Sequence, residues 1–216
     1  MAINLMEFRN PGNKIPLRAA RGHFATSHSH INYYIDLTMT KHCLSEAREV
    51  AVQLASRYKA STVIDTILCL DGTEVIGACM ASELTKSLSI SMNSNRTIYV
   101  LTPEHTTGSQ LIFRDNTKPM ITGKQVLILG ASVTTGYTVM AAVEAINYYG
   151  GTPVGICAIF SFVNECEGFP VNSIFDEKDL MEDYQSMTSH DCILCKRGVK
   201  LDAMVNTYGI SSFDRG

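Results

Sequence analysis

The feature that most constrains this chain is an alternation of strand-sized apolar runs with segments of helical periodicity. Val63-Ile64-Asp65-Thr66-Ile67-Leu68-Cys69-Leu70, Gln125-Val126-Leu127-Ile128-Leu129 and the stretch from Pro153 to Phe160 read as largely apolar strands, with Thr97 to Leu101 as a shorter one. Between them, Ala47, Val50, Ala51, Leu54 and Tyr58 fall on one helical face, with Ser45 as the expected cap. A second helix is expected from Glu74 to about Leu88. A third carries Val139, Ala142, Val143 and Ile146 on one face and stops at Gly150-Gly151. Such alternation specifies an α/β fold, a central parallel sheet covered by helices on both faces. Ligands of such sheets bind at the carboxyl ends of the strands. The two glycine-bearing breaks, Asp71-Gly72-Thr73 and Thr134-Thr135-Gly136, fall at that edge.

The 216 residues suffice for one domain with a sizeable core, or at a stretch for two small ones. A net charge of −3 gives no basic excess for nucleic acid to recognise. No apolar run approaches the roughly 20 residues that cross a bilayer. The N-terminus lacks the basic-then-apolar order of a secretory signal, so a cytoplasmic protein is expected. Seven cysteines, an odd number spread along the chain, read as reduced thiols and not as a disulfide framework. The first forty residues are irregular, with Pro11, Gly12, Pro16 and Gly22, and end in a strand-like stretch from Ile31 to Leu37. Thr102 to Lys124 is polar and aperiodic, with Pro103, Gly108, Pro119 and Gly123, as a functional or mobile loop would be.

The chemistry concentrates in Ala131-Ser132-Val133-Thr134-Thr135-Gly136. A buried strand ends there, a turn of small and hydroxyl residues follows, and a helix begins. The first turn of a helix has unpaired N–H groups, and its dipole favours an anion. Thr134, Thr135 and Thr138 add hydroxyl donors, and Gly136 lets a phosphate approach the backbone. The absence of a following Gly-Lys-Ser/Thr excludes a Walker loop. Without Gly-x-Gly-x-x-Gly, a methyltransferase or nucleotide-sugar enzyme lacks its first loop. Two further clusters read as structural. Cys192-x-x-Cys195 follows His190, and a zinc site would need further ligands, with Cys157 or Cys166 as candidates; idle thiols are the favoured reading. His23, His28 and His30 are expected to line a polar pocket or surface. No resident metal is expected.

The strand-turn-helix segment resembles the ribose-phosphate motif of type I phosphoribosyltransferases, which ends in Thr-Thr-Gly. Other segments resemble the orotate phosphoribosyltransferase branch. Ser27-His28-Ser29-His30-Ile31-Asn32-Tyr33-Tyr34-Ile35-Asp36-Leu37 is similar to its base-site stretch. Leu70-Asp71-Gly72-Thr73-Glu74-Val75-Ile76-Gly77 stands in the place of its pyrophosphate loop, and Thr102 to Gly123 in that of its closing loop. Asp191-Cys192-Ile193-Leu194-Cys195-Lys196-Arg197-Gly198 resembles a Cys-x-x-Cys-x-x-Gly tail. The resemblance implies a single domain over 1–216, with a core of about 40–165 and a small hood from about 1–39 and 166–216. It implies that Ser132, Val133, Thr134, Thr135, Gly136 and Thr138 hold a 5′-phosphate. Asp71, Gly72, Thr73 and Glu74 would then face the pyrophosphate or ribose, and Tyr33 and Tyr34 the base. His105, Arg114, Asp71 and Glu74 become catalytic candidates. The implied reaction transfers a 5-phosphoribosyl group from phosphoribosyl pyrophosphate to a pyrimidine base such as orotate. Mg²⁺ would arrive with the substrate, and the protein would pair as a homodimer.

The sequence also departs from the motif. Gly130 and Ala131 stand where the family has two acidic residues that bind the ribose hydroxyls. Each lost charge-assisted hydrogen bond is worth roughly 1.5–3 kcal/mol, and about 1.4 kcal/mol is tenfold in affinity. The closing loop is poor in lysine, keeping His105, Gly108, Arg114, Lys118 and Lys124. Asp71 and Glu74 make the pyrophosphate loop acidic, although either could replace the missing ribose acceptors. The alternative expectation is a non-catalytic nucleotide- or phosphate-binding protein on the same fold.

Overall fold

In the computed structural model the chain begins with three strands: β1 (Met6–Phe8), β2 (Leu17–Ala25) and β3 (His30–Asp36). The structure describes residues 4–9, 13–26, 29–87, 91–107, 110–180 and 184–213; Pro11, Gly12, Ser27, His28, Leu88 and Gly108 lie outside them. These residues form two compact units, Met1–Met39 with Glu177–Gly216, and Thr40–Asp176.

The larger unit holds the alternating pattern. After α1 (Thr38–His42) come α2 (Leu44–Ser56), β4 (Thr66–Cys69), α3 (Glu74–Thr85), β5 (Tyr99–Leu101), β6 (Glu104–His105) and β7 (Leu111–Ile112). Then follow β8 (Gln125–Val133), α4 (Tyr137–Tyr148), β9 (Thr152–Ser161), β10 (Glu165–Cys166) and β11 (Phe169–Asp176). The main sheet runs β10-β11-β9-β8-β4-β5. All neighbours are parallel except the β10–β11 pair.

Alternation along the strands sends side chains to two faces. Leu68, Leu70, Val126, Ile128, Ile156 and Ala158 pack with Val139, Ala142 and Ile146 of α4. Fully burying one Val or Ile contributes about 1.5–3 kcal/mol, so this apolar stripe fixes α4 on the sheet. The other face meets α2 and α3 closely enough to require glycine. A Cβ on Gly77 of α3 would lie 2.4 Å from the Cys69 sulfur, and one on Gly155 of β9 2.8 Å from the Tyr58 ring. Tyr58, just beyond α2, donates its hydroxyl hydrogen to the Ile156 carbonyl at 2.9 Å and accepts from Asn172 at 2.8 Å.

Several boundaries differ from expectation. Cys43, not Ser45, precedes α2, and it makes no side-chain cap bond. α3 ends at Thr85. β8 runs four residues past Leu129 because Gly130, Ser132 and Val133 pair with Ala158, Phe160 and Ser161 of β9. The stretch expected as one loop holds the β6–β7 hairpin and a short 3₁₀ turn, Lys118–Met120. α4 does end at the glycines, with Gly150 left-handed at φ 76.

The smaller unit completes itself with β12 (Ser186–Met187), α5 (Ile193–Lys196), β13 (Ala203–Asn206) and β14 (Gly209–Ser212). Its sheet runs β12-β3-β2-β13-β14, with β1 on β2. Ala20, Phe24, Tyr34, Ala203 and Val205 form its core.

Candidate functional site

The larger unit carries a crevice defined by topology. From β4 the chain steps outward to β5 on one side, then returns to β8 on the other and continues to β9 and β11. The helices after β4 and β8, α3 and α4, cover opposite faces. The loops leaving these two neighbouring strands therefore diverge, and the gap between them is where parallel sheets bind ligands.

The loop after β4 is Asp71-Gly72-Thr73. Asp71 and Gly72 are both left-handed, at φ 58 and 79. Aspartate and glycine are among the residues that tolerate this conformation. Thr73 is buried, and its hydroxyl bonds the Leu70 carbonyl at 2.9 Å and the Leu129 carbonyl at 3.1 Å. Lys41 of α1, largely buried, donates to the Asp71 carbonyl at 3.0 Å. Burial pushes the Asp71 carboxyl above its ordinary range, partly offset by the charges of Lys41 and His105. Glu74 opens α3 and accepts from the Thr102 hydroxyl at 2.9 Å.

The turn after β8 is shorter than the sequence suggests. Ser132 and Val133 are strand residues, and Val133 is buried with its carbonyl bonded by Phe162 N–H at 2.9 Å. Thr134, Thr135 and Gly136 make the turn itself. Gly136 is the cap of α4, left-handed at φ 81, and no side chain caps the helix. Thr134, Thr135 and Thr138 are exposed. Among the described residues no protein group bonds their hydroxyls. Free amides at a helix start and three hydroxyls together form a donor set suited to a phosphate dianion. Gly130 and Ala131 are buried at the end of β8 and offer no side-chain acceptor. Space is not the reason: a Cβ on Gly130 would meet nothing nearer than Val133 at 3.8 Å.

The arm after β5 carries His105 and Arg114, both catalytic candidates. Its cations are largely engaged. Arg114 grips Glu104 through two bonds, of 2.7 and 2.5 Å, and this exposed pairing raises the guanidinium and lowers the Glu104 carboxyl. Lys118 pairs with Asp115 at 2.6 Å. A surface groove lined by Leu111, Ile112, Ala141, Ala145, Tyr148 and Tyr149 lies between β7 and α4 and includes none of the candidate residues.

Tyr33 and Tyr34, the expected base contacts, belong to the smaller unit. Both are buried. Tyr34 packs on Phe24 with ring centroids 6.1 Å apart, and burial pushes its hydroxyl up to about 12. Tyr33 has the Arg21 guanidinium 5.9 Å from its ring centre. In the same unit Cys192 and Cys195, read from sequence as idle thiols, converge with His23 and His30, expected to line a polar pocket or surface. Lys41 was not singled out by sequence, where a lone lysine in a short helix carries no signal.

The class defined by this sheet order and crevice is the type I phosphoribosyltransferase fold. Among solved structures, an orotate phosphoribosyltransferase from Mycobacterium tuberculosis in complex with 5-phospho-α-D-ribosyl 1-diphosphate matches at TM-score 0.51 and 18% identity, covering 68% of this chain and 82% of that one. An adenine phosphoribosyltransferase from Trypanosoma brucei, in complex with AMP, pyrophosphate and ribose-5-phosphate, matches at TM-score 0.53 and 15% identity over 84% of this chain and 90% of that one. A phosphoribosyltransferase from Corynebacterium diphtheriae gives 0.52 and 19% over 73% and 89%. At these identities the likeness is one of fold. No family model matches the chain. In sequence, the chain is 42% identical over 60 residues to a protein of Methanocorpusculum labreanum named transcriptional regulator GfcR, a match spanning 27% of this chain and 30% of that protein. Among the described residues no helix is long and apolar enough to cross a membrane.

Proposed function

We propose that this chain binds a 5-phosphoribosyl ligand, phosphoribosyl pyrophosphate or a nucleoside monophosphate, in the crevice between β4 and β8, and responds to it without turning it over efficiently. The observation that carries this reading is the contrast at the end of β8. Among the described residues no protein group bonds the hydroxyls of Thr134, Thr135 and Thr138 beside the Gly136 cap, which supports a phosphate there, while Gly130 and Ala131 carry no side-chain acceptor for a ribose. The possible substitutes are compromised. Asp71 is pushed toward its neutral form by burial, and Glu74 is bonded to Thr102. The arm's Arg114 and Lys118 are paired with the carboxylates of Glu104 and Asp115. Transferase catalysis depends on charge placed where the transition state develops it, and a pocket that binds only the phosphate does not supply that. The protein that matches over 60 residues is named a transcriptional regulator, which is in keeping with a regulatory role.

A second reading, transfer of the phosphoribosyl group to a pyrimidine base such as orotate, draws on the orotate enzyme among the fold's neighbours and on the His105 arm beside the crevice. Mg²⁺ would then enter as part of the phosphoribosyl pyrophosphate substrate. Incubation with phosphoribosyl pyrophosphate, Mg²⁺ and each of orotate, uracil and adenine, with product followed by chromatography, separates the two. The sensing reading expects no nucleotide above background at saturating ligand. Steady multiple turnover with any base establishes the transferase instead.

A further inference from the structure

Four side chains from opposite ends of the sequence meet in the smaller unit. His23 lies on β2 and His30 on β3, while Cys192 immediately precedes α5 and Cys195 is its third residue. Their ligand atoms all lie within 4.8 Å of one another. The individual separations are informative. His23 Nε2 is 3.2 Å from His30 Nδ1, 3.4 Å from the Cys192 sulfur and 3.7 Å from the Cys195 sulfur. The Cys195 sulfur is 3.3 Å from His30 Nδ1. A tetrahedral Zn²⁺, with Zn–N of about 2.0–2.1 Å and Zn–S of about 2.3 Å, requires edges of about 3.3 Å between nitrogens and about 3.5 Å between nitrogen and sulfur. These four edges fall around those lengths, and the two from the Cys192 sulfur to His30 and to Cys195 lie within 4.8 Å.

Hydrogen bonding alone accounts poorly for this cluster. His23 Nδ1 lies 2.9 Å from the Val199 carbonyl, which accepts only, so the ring proton sits on Nδ1. Nε2 then presents a single lone pair to three neighbours. That arrangement is also what a metal ligand needs: the distal nitrogen fixed to a backbone carbonyl, the other free to coordinate.

The surroundings are built to hold the geometry. The β2–β3 register shifts between Arg21 and Phe24, at His23. There the Asp202 carboxylate accepts the His23 N–H at 2.8 Å, and Asp202 N–H donates to the His23 carbonyl at 2.7 Å. Gly22 leaves room for this clamp, since a Cβ there would lie 2.8 Å from the Asp202 carboxylate. On the other side, Lys196 N–H bonds the Cys192 carbonyl at 3.1 Å and Gly198 N–H the Cys195 carbonyl at 2.9 Å. One tight turn thus presents both sulfurs and, at Val199, the carbonyl that orients His23.

We infer that His23, His30, Cys192 and Cys195 form a structural zinc site that clips the β2–β3 hairpin to the C-terminal Cys-x-x-Cys turn. Two thiolates and two imidazoles in a tetrahedron select zinc over hard cations such as Mg²⁺ or Ca²⁺. All four positions are filled by protein, which leaves no open position for substrate and makes the role structural. Because the ligands come from distant parts of the sequence, the ion closes a long loop and its binding is coupled to folding of this unit.

The test is metal analysis of the full chain purified under reducing conditions without chelator. One equivalent of zinc is expected, retained in the Cys79→Ser control and lowered at least tenfold in the Cys192→Ser/Cys195→Ser double variant. Should the double variant fail to fold, Co²⁺ exchange into the native chain decides. The site gives the intense visible bands of tetrahedral cobalt together with sulfur-to-cobalt charge transfer. Native protein that carries no zinc and takes up no Co²⁺ overturns the inference. So does zinc retained in a folded double variant, or an intact mass showing a Cys192–Cys195 disulfide in the reduced preparation.

Discussion

The Thr73 hydroxyl bonds the Leu129 carbonyl at 3.1 Å, joining the loop after β4 to the last residue of β8 that pairs with β4. The same hydroxyl bonds Leu70 at 2.9 Å. The two walls of the crevice are thus tied at one buried point, close to where Gly130 and Ala131 begin. Thr73→Val keeps the shape and removes this side-chain bond, leaving the backbone bond from Leu70 N–H to the Leu129 carbonyl at 2.8 Å. Urea unfolding is expected to show a loss of about 0.5–1.5 kcal/mol, the usual worth of such a bond. Ligand affinity should fall beyond that of a distant variant of equal stability loss.

Asp71 is expected to cost stability. Burial raises its pKa in the folded chain, so the folded state holds this proton more tightly than the unfolded state does. Its favourable contribution is complete below the unfolded carboxylate range, about pH 4, and is lost as pH rises through the folded value. Asp71→Asn, which keeps a residue tolerant of φ 58, should raise the unfolding midpoint at neutral pH. The gain should shrink to nothing as pH falls below about 4. Thermal unfolding of both proteins across this range checks the sign.

Gly136 joins a backbone requirement to a steric one. Its φ of 81 disfavours any Cβ, and that Cβ would sit 3.0 Å from the Cys166 sulfur. Gly136→Ala should cost about 1–2 kcal/mol from the left-handed conformation alone. It should also weaken phosphate binding, because relaxing the strain moves the first amides of α4.

Restoring carboxylates at the end of β8 is a gain-of-function test. Gly130→Asp with Ala131→Asp should strengthen Mg²⁺-dependent binding of phosphoribosyl pyrophosphate by tenfold or more, given about 1.5–3 kcal/mol per charge-assisted bond. The two buried charges should lower stability in the absence of ligand. Titration and unfolding of the double variant measure the two effects separately.

Much of the larger unit was legible because its helices bury one face. The spacing of Ala47, Val50, Ala51 and Leu54, and of Val139, Ala142, Val143 and Ile146, located α2 and α4. The extension of β8 was not legible. Gly130, Ala131 and Ser132 have poor strand propensity, and only pairing with β9 holds them extended. The β6 and β7 strands are two residues each, too short to show a period in a polar stretch. The His–Cys cluster was hidden by distance: 169 residues separate His23 from Cys192. Sequence spacing reveals a metal site only when its ligand pairs are neighbours along the chain. Here the thiols are such a pair, but the histidines sit on separate strands and are joined by hairpin geometry.

The most direct measurement is calorimetric titration of the native chain and of Thr134→Val/Thr135→Val with phosphoribosyl pyrophosphate, UMP and AMP. The account predicts saturable binding of at least one of these ligands by the native chain, weakened tenfold or more in the double variant while its unfolding midpoint is little changed. Absence of binding by the native chain to all three, or equal affinity in the two proteins, contradicts the assignment of this turn as a phosphate site.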